Sequence, residues 1–283
     1  MNIVYVHGGV SGTSKPGTAD LSPAVERARN SPAALDAVEL AVQVLEDDPL
    51  LNAGWGSVLN RDGGLELDAG IADGLTGACG ATANVSVRHP ITLARRVLED
   101  TPHVLVTGTG AELLGAALEQ LSSTTAEQRR RWERARAEGH LDPESFAAPE
   151  HVDTVGAVAL DADGGLAAGS STGGVFGKLA GRVGDASVFG AGFYATGSAA
   201  VVGTGVGELF VEMVASFRVA RLIEDGEAPQ AACEQIIERL GERRRTAAGL
   251  LALDSDGRAG AAYRGASWVV EGPDGPVTAT RID

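Results

Sequence analysis

HVDTVGAVALDADGGLAAGSST, residues 151–172, is where the character of the chain changes. Ahead of it, residues 122–152 are mostly Arg, Glu, Gln, Ala and Pro with no apolar period, which predicts a mobile connector with some helix. Within it, Val155–Leu160 and Leu166–Ser171 read as strands joined by a turn at Asp161 to Gly165, a hairpin. Thr154 therefore stands where a polar connector meets an inward-going strand. A threonine hydroxyl is a weak nucleophile and needs a base beside it. If the peptide bond before Thr154 is cut, the new α-amine of the same residue supplies that base, with an ordinary pKa of about 7.7 to 8.0. An Asp-Thr pair ahead of a strand is by itself a commonplace structural pattern, so the rest of the chain must decide.

Outward from this stretch the pattern alternates strands and helices. Asn2–Val6 reads as a strand running into His7, Gly8 and Gly9. Ser31 and Pro32 read as the N-cap and first position of a helix whose Leu35, Val38, Val42 and Leu45 share one face up to Pro49. Residues 52–72 read as two short strands around Asn60 to Gly64, and helices are predicted over Pro90–Glu99 and Ala111–Leu121 with the strand His103–Val106 between them. In the second half, strands are predicted at Ser187–Tyr194 and Ser198–Thr204, helices at Glu208–Ile223 and Pro229–Leu240, and a final hairpin from Leu250–Leu253 to Ala259–Tyr263. Strands and helices in each half suit layered sheets faced by helices.

Composition narrows the function. With 283 residues and 44% hydrophobic content the chain can bury a substantial core as a globular, soluble protein. A formal charge of −15 argues against nucleic acid and anionic membrane surfaces, which require clustered cations. The one dense basic run, Arg129 to Arg136, is interleaved with Glu127, Glu133 and Glu138 and reads as a solvated helix face. The only cysteines, Cys79 and Cys233, read as core residues and fit a reducing cytoplasm. The histidines at 7, 89, 103, 140 and 151 have no zinc-ligand spacing. Met1–Val6 gives no sign of a secretory signal, and the uncharged run from Ala186 to Gly207 is too rich in Gly, Ser and Thr for a membrane helix.

HGG at His7, NAGWGS at Asn52, ELDAGIADG at Glu66, RHP at Arg88, HVDTVGAVALD at His151, STGG at Ser171, GRVGD at Gly181, GAGFYA at Gly190 and GTGVGE at Gly203 together resemble the plant-type L-asparaginase and isoaspartyl peptidase family. These are N-terminal nucleophile (Ntn) hydrolases and relatives of glycosylasparaginase. The matches keep the family's order and approximate spacing over nearly the whole chain, and as a set they are specific where each alone is weak.

The resemblance implies an α+β fold, a four-layer αββα sandwich, in one domain over residues 1–283. It implies autocatalytic cleavage between Asp153 and Thr154 into an α subunit (1–153) and a β subunit (154–283), with Thr154 as nucleophile. Thr172 matches the threonine that positions it; from the residues alone it reads first as a strand threonine pairing across a sheet. Arg182 and Asp185 match the pair that grips the α-carboxylate and α-amino group of an aspartyl substrate; read alone they are a salt bridge. Thr204 and Gly205 match the oxyanion hole, Gly207 a backbone contact to substrate, and the same stretch reads as a turn into a helix. Asn52 matches a residue near the scissile bond and also suits a turn.

Leu45, Glu46, Asp48, Leu51, Ala53 and Trp55 resemble a loop whose carbonyls hold a structural sodium ion, and no organic cofactor is implied. The implied activity is hydrolysis of the L-asparagine side-chain amide and of β-aspartyl peptides, by a homodimer of processed protomers. The alternatives are a glycosylasparaginase-type hydrolase and a non-catalytic aspartyl-binding protein. Val10, Ser11 and Gly12 after HGG, Phe193, Val206 and the stretch Ala262 to Ser267 depart from the family pattern and are expected to reshape the substrate pocket.

Overall fold

Residues 1–11, 19–141, 151–152 and 154–283 are described by a computed structural model, with the backbone alone at 11, 151 and 152. The first half runs β1 (Ile3–His7), β2 (Val10–Ser11), α1 (Ser22–Ala28), α2 (Ala34–Asp47), β3 (Leu67–Asp73), β4 (Cys79–Val85), α3 (Pro90–Asp100), β5 (Leu105–Thr107), α4 (Gly108–Leu114) and α5 (Ala126–Ala137). Then follow β6 (His151–Val152), β7 (Val155–Leu160), β8 (Leu166–Thr172), β9 (Phe193–Ala195), β10 (Ala199–Gly205), α6 (Gly207–Met213), α7 (Ala215–Glu224) and α8 (Pro229–Arg243). The chain closes with β11 (Ala248–Asp254), β12 (Ala259–Arg264), β13 (Val270–Gly272), β14 (Gly275–Pro276) and β15 (Thr280–Arg281). The class is α+β.

Two main sheets organise these strands. One has the order β14-β13-β1-β7-β8-β3-β4-β5 and the other β15-β12-β11-β10-β9. Alternation along the strands divides most of the apolar residues between three of the four clusters. Ala157 and Ala159 of β7 pack with Val38, Ala41 and Val42 of α2, whereas Val158 and Leu160 pack with Val202 of β10 and Leu251 and Leu253 of β11. From β10 and β11, Val201, Leu250 and Ala252 turn the other way, onto Phe210, Val219, Ile236 and Ile237 of α6, α7 and α8.

Several predicted elements are redrawn by tertiary contacts. The first predicted helix corresponds to α2 and starts at Ala34, beyond the predicted Ser31 cap, because Asp161 of the β7–β8 turn accepts the Ala34 N–H at 2.9 Å; Ser31 instead closes α1, a helix the sequence reading missed, by donating to the Ala28 carbonyl. The first predicted strand of residues 52–72 is a 3-10 turn, Gly54–Gly56, and a loop. Side chains take the loop's amides: Asn52 Oδ1 accepts from Val58 N, and Asn60 Oδ1 accepts from Asp62 N and Gly64 N. The long helix predicted over 208–223 breaks at Val214 (φ 48°), since the amides of Ser216 and Phe217 donate to the carbonyls of Ala191 and Gly190. Of the predicted 187–194 strand only Phe193 and Tyr194 are retained, in β9, which runs on to Ala195, and β4 is a strand the sequence reading missed.

The connector holds a packed helix despite its lack of an apolar period. Trp132 of α5 is buried, donates Nε1–H to the Asn60 carbonyl at 3.0 Å and lies over Gly63, while Arg131 stacks on Phe176 at 4.1 Å. One indole anchors what a periodic face usually does, and the arginines read as a solvated face in part serve this docking. Residues 142–150 lie outside the described residues. Cys79 and Cys233 are both buried, and among the described residues no helix is long and apolar enough to cross a membrane.

Phe193, expected to reshape a substrate pocket, is fully buried between the sheets, its ring over Gly70 of β3. A Cβ at Gly70 has no room there. Gly70→Ala is expected to lower stability by about 1–3 kcal/mol through overpacking, read as a lower urea midpoint. An unchanged midpoint contradicts this account of how closely the sheets approach.

Candidate active site

Thr154 is buried at the entrance to β7. The register pairs Val155 with Ser171 across β7 and β8, so the next residue on each strand toward this end is a threonine. Thr154 Oγ1 donates to Thr172 Oγ1 at 3.2 Å, and Thr172 Oγ1 also accepts the Gly174 N–H at 3.0 Å. The chain leading to Thr154 is tied by the short β2–β6 ladder, which pairs Val10 with Val152 and Ser11 with His151. Asp153, the other half of the expected cleavage site, lies outside the described residues.

Asn52 clasps the turn after Thr172 with two bonds and is held in its own loop by a third. Its Nδ2 donates to the Gly174 carbonyl at 2.7 Å, its carbonyl accepts from Gly173 N at 2.9 Å, and its Oδ1 is taken by Val58 N at 3.0 Å. This is the turn-holding arrangement, built around Thr172, the hydrogen-bond partner of Thr154.

Arg182, Asp185 and Gly207 converge. A Cβ placed on Gly207 would lie 2.9 Å from Arg182 Nη2 and 2.9 Å from Asp185 Oδ1, so only glycine leaves the space between them open. The two are not a closed salt bridge: Arg182 makes a fork with Glu208, Nε to Oε1 at 2.9 Å and Nη2 to Oε2 at 2.7 Å, and Asp185 Oδ2 is buried without a hydrogen-bond partner. Burial pushes the Asp185 carboxyl up to about 7, only partly relieved by its own backbone N–H and by Arg182. Arg182 itself is held above its ordinary value: burial works against the charge, and the Glu208 bonds more than offset it.

Two acidic residues outside the predicted set hang this segment from β3. Asp68, opposite Thr172 in the β3–β8 register, accepts from Asn84 N at 2.9 Å and from Gly184 N at 3.3 Å. Glu66 Oε1 accepts from Gly181 N at 2.9 Å, and its carbonyl accepts from buried Lys178 Nζ at 2.7 Å. Burial raises the Asp68 pKa against the pull of Lys178 and lowers that of Lys178 against the pull of Asp68. A carboxylate inside the otherwise apolar run LDAGIA was the available signal.

Thr204 and Gly205 end β10, opposite Gly249 and Ala248 of β11. Gly156, two residues after Thr154, packs against Val202, two residues before Thr204; a Cβ on Gly156 would sit 3.1 Å from Val202 Cβ. Gly205 packs on the Phe210 ring, and Val206 forms the N-cap of α6. On the other flank, Leu45 and Glu46 end α2, and Asp48, Leu51, Ala53 and Trp55 follow in the loop that carries Asn52. The Glu46 carbonyl packs on Gly54, and the carbonyls of Leu51 and Asp48 pack on Gly56, so peptide oxygens converge on the Gly54–Gly56 turn. The Glu46 side chain points elsewhere: it is buried, accepts from Ile91 N at 3.1 Å, and burial raises its pKa well above normal.

A family model described as Asparaginase matches residues 10–272. An isoaspartyl peptidase of Escherichia coli (strain K12) is 44% identical over 236 residues, covering 79% of this chain and 74% of its own. An isoaspartyl peptidase/L-asparaginase of Rattus norvegicus is 38% identical over 277 residues, with 90% and 81% covered, and a plant-type L-asparaginase of Pyrobaculum calidifontis is 42% identical over 238 residues, with 81% and 80% covered. With the threonine pair, the glycine-lined space between Arg182 and Asp185 and matches that run nearly end to end, the chain belongs to the asparaginase family of Ntn hydrolases.

Proposed function

We propose that this chain is a self-processing threonine amidohydrolase that releases aspartate from L-asparagine and from β-aspartyl peptides. The observation that carries the reading is the Thr154 hydroxyl held 3.2 Å from the Thr172 hydroxyl at the mouth of β7. In processing, Thr154 Oγ1 attacks the Asp153 carbonyl carbon, the peptide C–N bond breaks to free the α-amine and leave an ester on Oγ1, and water cleaves that ester to release the Asp153 carboxylate and restore the Thr154 hydroxyl. Residues 1–153 and 154–283 then form the α and β subunits of one domain.

In the mature site the α-amine takes the proton of the Thr154 hydroxyl while Oγ1 bonds to the substrate's side-chain carbonyl carbon. The Thr204 hydroxyl and the Gly205 N–H stabilise the oxyanion. As the C–N bond breaks, ammonia or the peptide's amino group leaves with that proton, and water returns the acyl-enzyme to free threonine and aspartate. Arg182 takes the α-carboxylate and Asp185 the α-ammonium, with Gly207 beneath the α-carbon. A sodium ion suits the carbonyls of Leu45, Glu46, Asp48, Leu51, Ala53 and Trp55, since peptide oxygens alone form a hard-cation site, and it would stiffen the loop bearing Asn52. The three apolar clusters support a four-layer αββα arrangement, and the assembly is a cytoplasmic homodimer.

Intact-mass measurement of the purified protein is expected to give two fragments, the second beginning at Thr154, while Thr154→Ala stays one chain and loses L-asparagine hydrolysis by about 10³-fold or more. An uncut yet active protein sinks the proposal. Thr204→Val, which removes one oxyanion donor, is expected to lower kcat by about 10²–10³ with KM little changed. Comparing L-asparagine, β-aspartyl dipeptides and N-acetylglucosaminyl-asparagine as substrates separates this reading from a glycosylasparaginase.

The clamp also makes a pH prediction. A substrate ammonium requires ionised Asp185, whose carboxyl titrates at about 7 in the free site. Calorimetric affinity for L-aspartate is therefore expected to climb from pH 6 to pH 8, with proton release on binding that fades above the transition. In Asp185→Asn, binding is expected to be weak and flat across the same range; retention of the wild-type slope there assigns the titration to another group.

A further inference from the structure

Five N–H groups radiate from a guanidinium in a fixed fork, and which edge is occupied decides how an anion can approach. In Arg182 the Nε–H and one Nη2–H are taken by Glu208, at 2.9 and 2.7 Å. The three remaining N–H groups are on the Nη1 and Nη2 end. That end lies over glycine on both sides: a Cβ on Gly184 would lie 2.8 Å from Nη1, and one on Gly207 2.9 Å from Nη2. Asp185 Oδ1 borders the same Gly207 position, so the open end of the guanidinium and a carboxylate whose Oδ2 is unpartnered flank one space.

Glu208 is well placed to hold this arrangement without entering that space. It is the second residue of α6, directly after Gly207, and its side chain is 51% exposed where that of Arg182 is 16% exposed, so it grips the guanidinium from the solvent side. Burial favours its neutral form, but the two Arg182 bonds, the Arg182 charge, its own backbone N–H and Arg244 outweigh that and keep it ionised.

We propose that Glu208 is a positioning residue that turns Arg182 so that the α-carboxylate of the substrate is received end-on by Nη1 and Nη2, in the one orientation that also brings the ammonium to Asp185. The inference rests on the amidohydrolase reading above. With the Nε edge released, the guanidinium turns about its side-chain torsions and the carboxylate meets a spread of orientations. The ammonium half of the clamp stays as it was.

L-Aspartate and β-alanine, which is aspartate without its α-carboxylate, provide the discriminating pair as competitive inhibitors of L-asparagine hydrolysis. In Glu208→Gln the inhibition constant of L-aspartate is expected to rise about tenfold and that of β-alanine to move by less than about twofold, with KM for L-asparagine rising while kcat stays within about threefold. Glu208→Asp, which keeps the charge but is too short for both bonds, is expected to side with the glutamine variant. A merely structural role weakens both inhibitors together. Equal loss for both, or an unmoved L-aspartate constant, overturns the inference and leaves the amidohydrolase reading intact; a processed wild-type protein that neither hydrolyses L-asparagine nor binds L-aspartate removes both.

Discussion

The pairing of β7 with β8 is the constraint from which the site is built. Val155 opposite Ser171 fixes the register, and a slip by one residue would turn every side chain of one strand to the opposite face. Only in this register do the hydroxyls of Thr154 and Thr172 meet, and only then do Val158 and Leu160 face the second sheet while Ala157 and Ala159 face α2. The apolar pattern that buries the hairpin on both faces thus also selects the geometry of the polar pair at its end. Packing energy spread over the hairpin holds in place one hydrogen bond that by itself contributes only about 1 kcal/mol.

Around that end the protein buries charge at a cost to stability. Asp185 and Asp68 are both held above the ordinary carboxylate range by burial. A folded-state pKa raised above the unfolded one means the fold binds more protons, so stability from Asp185 is present at low pH and lost as pH rises from about 4 toward 7. The two acids resolve this differently. Asp68 is compensated internally by two backbone amides and Lys178, and so fixes the loop that carries Gly184. Asp185 keeps one oxygen unpaired, the state of a group whose partner arrives from outside.

The sequence made the hairpin, the start of β1, α3, α8 and the last β11–β12 hairpin legible, because there local periodicity and burial agree. It was misleading where a remote group overruled a local signal. Asp161 caps α2 in place of Ser31, and the carbonyls of Gly190 and Ala191 split α6 from α7. The motif residues of the candidate site could be named from sequence, but their partners could not. Arg182 and Asp185 sit three positions apart and read as a pair, yet Arg182 bonds Glu208, 26 residues on, a contact that depends on where β10 ends and α6 begins. Trp132 was likewise hidden in a connector with no apolar period, since a single indole gives no repeat to detect.

The order of strands would let the chain tolerate the proposed cut before Thr154. In the eight-stranded sheet, β7 and β8, from beyond Thr154, lie between β1 on one side and β3 on the other, and β13 lies on the far side of β1. Among the described strands β1 is left with no ladder partner without the other half, since it pairs with β7 and β13, while β3, β7, β8 and β13 each lose one of two neighbours. Breaking one peptide bond adds freedom to two chain ends and removes none of these ladders, whereas separating the halves exposes the sheet interior and the apolar cluster beneath α2. Interleaving the halves makes hydrolysis before Thr154 a local event, able to create a free amine at the site without releasing the strands that aim it.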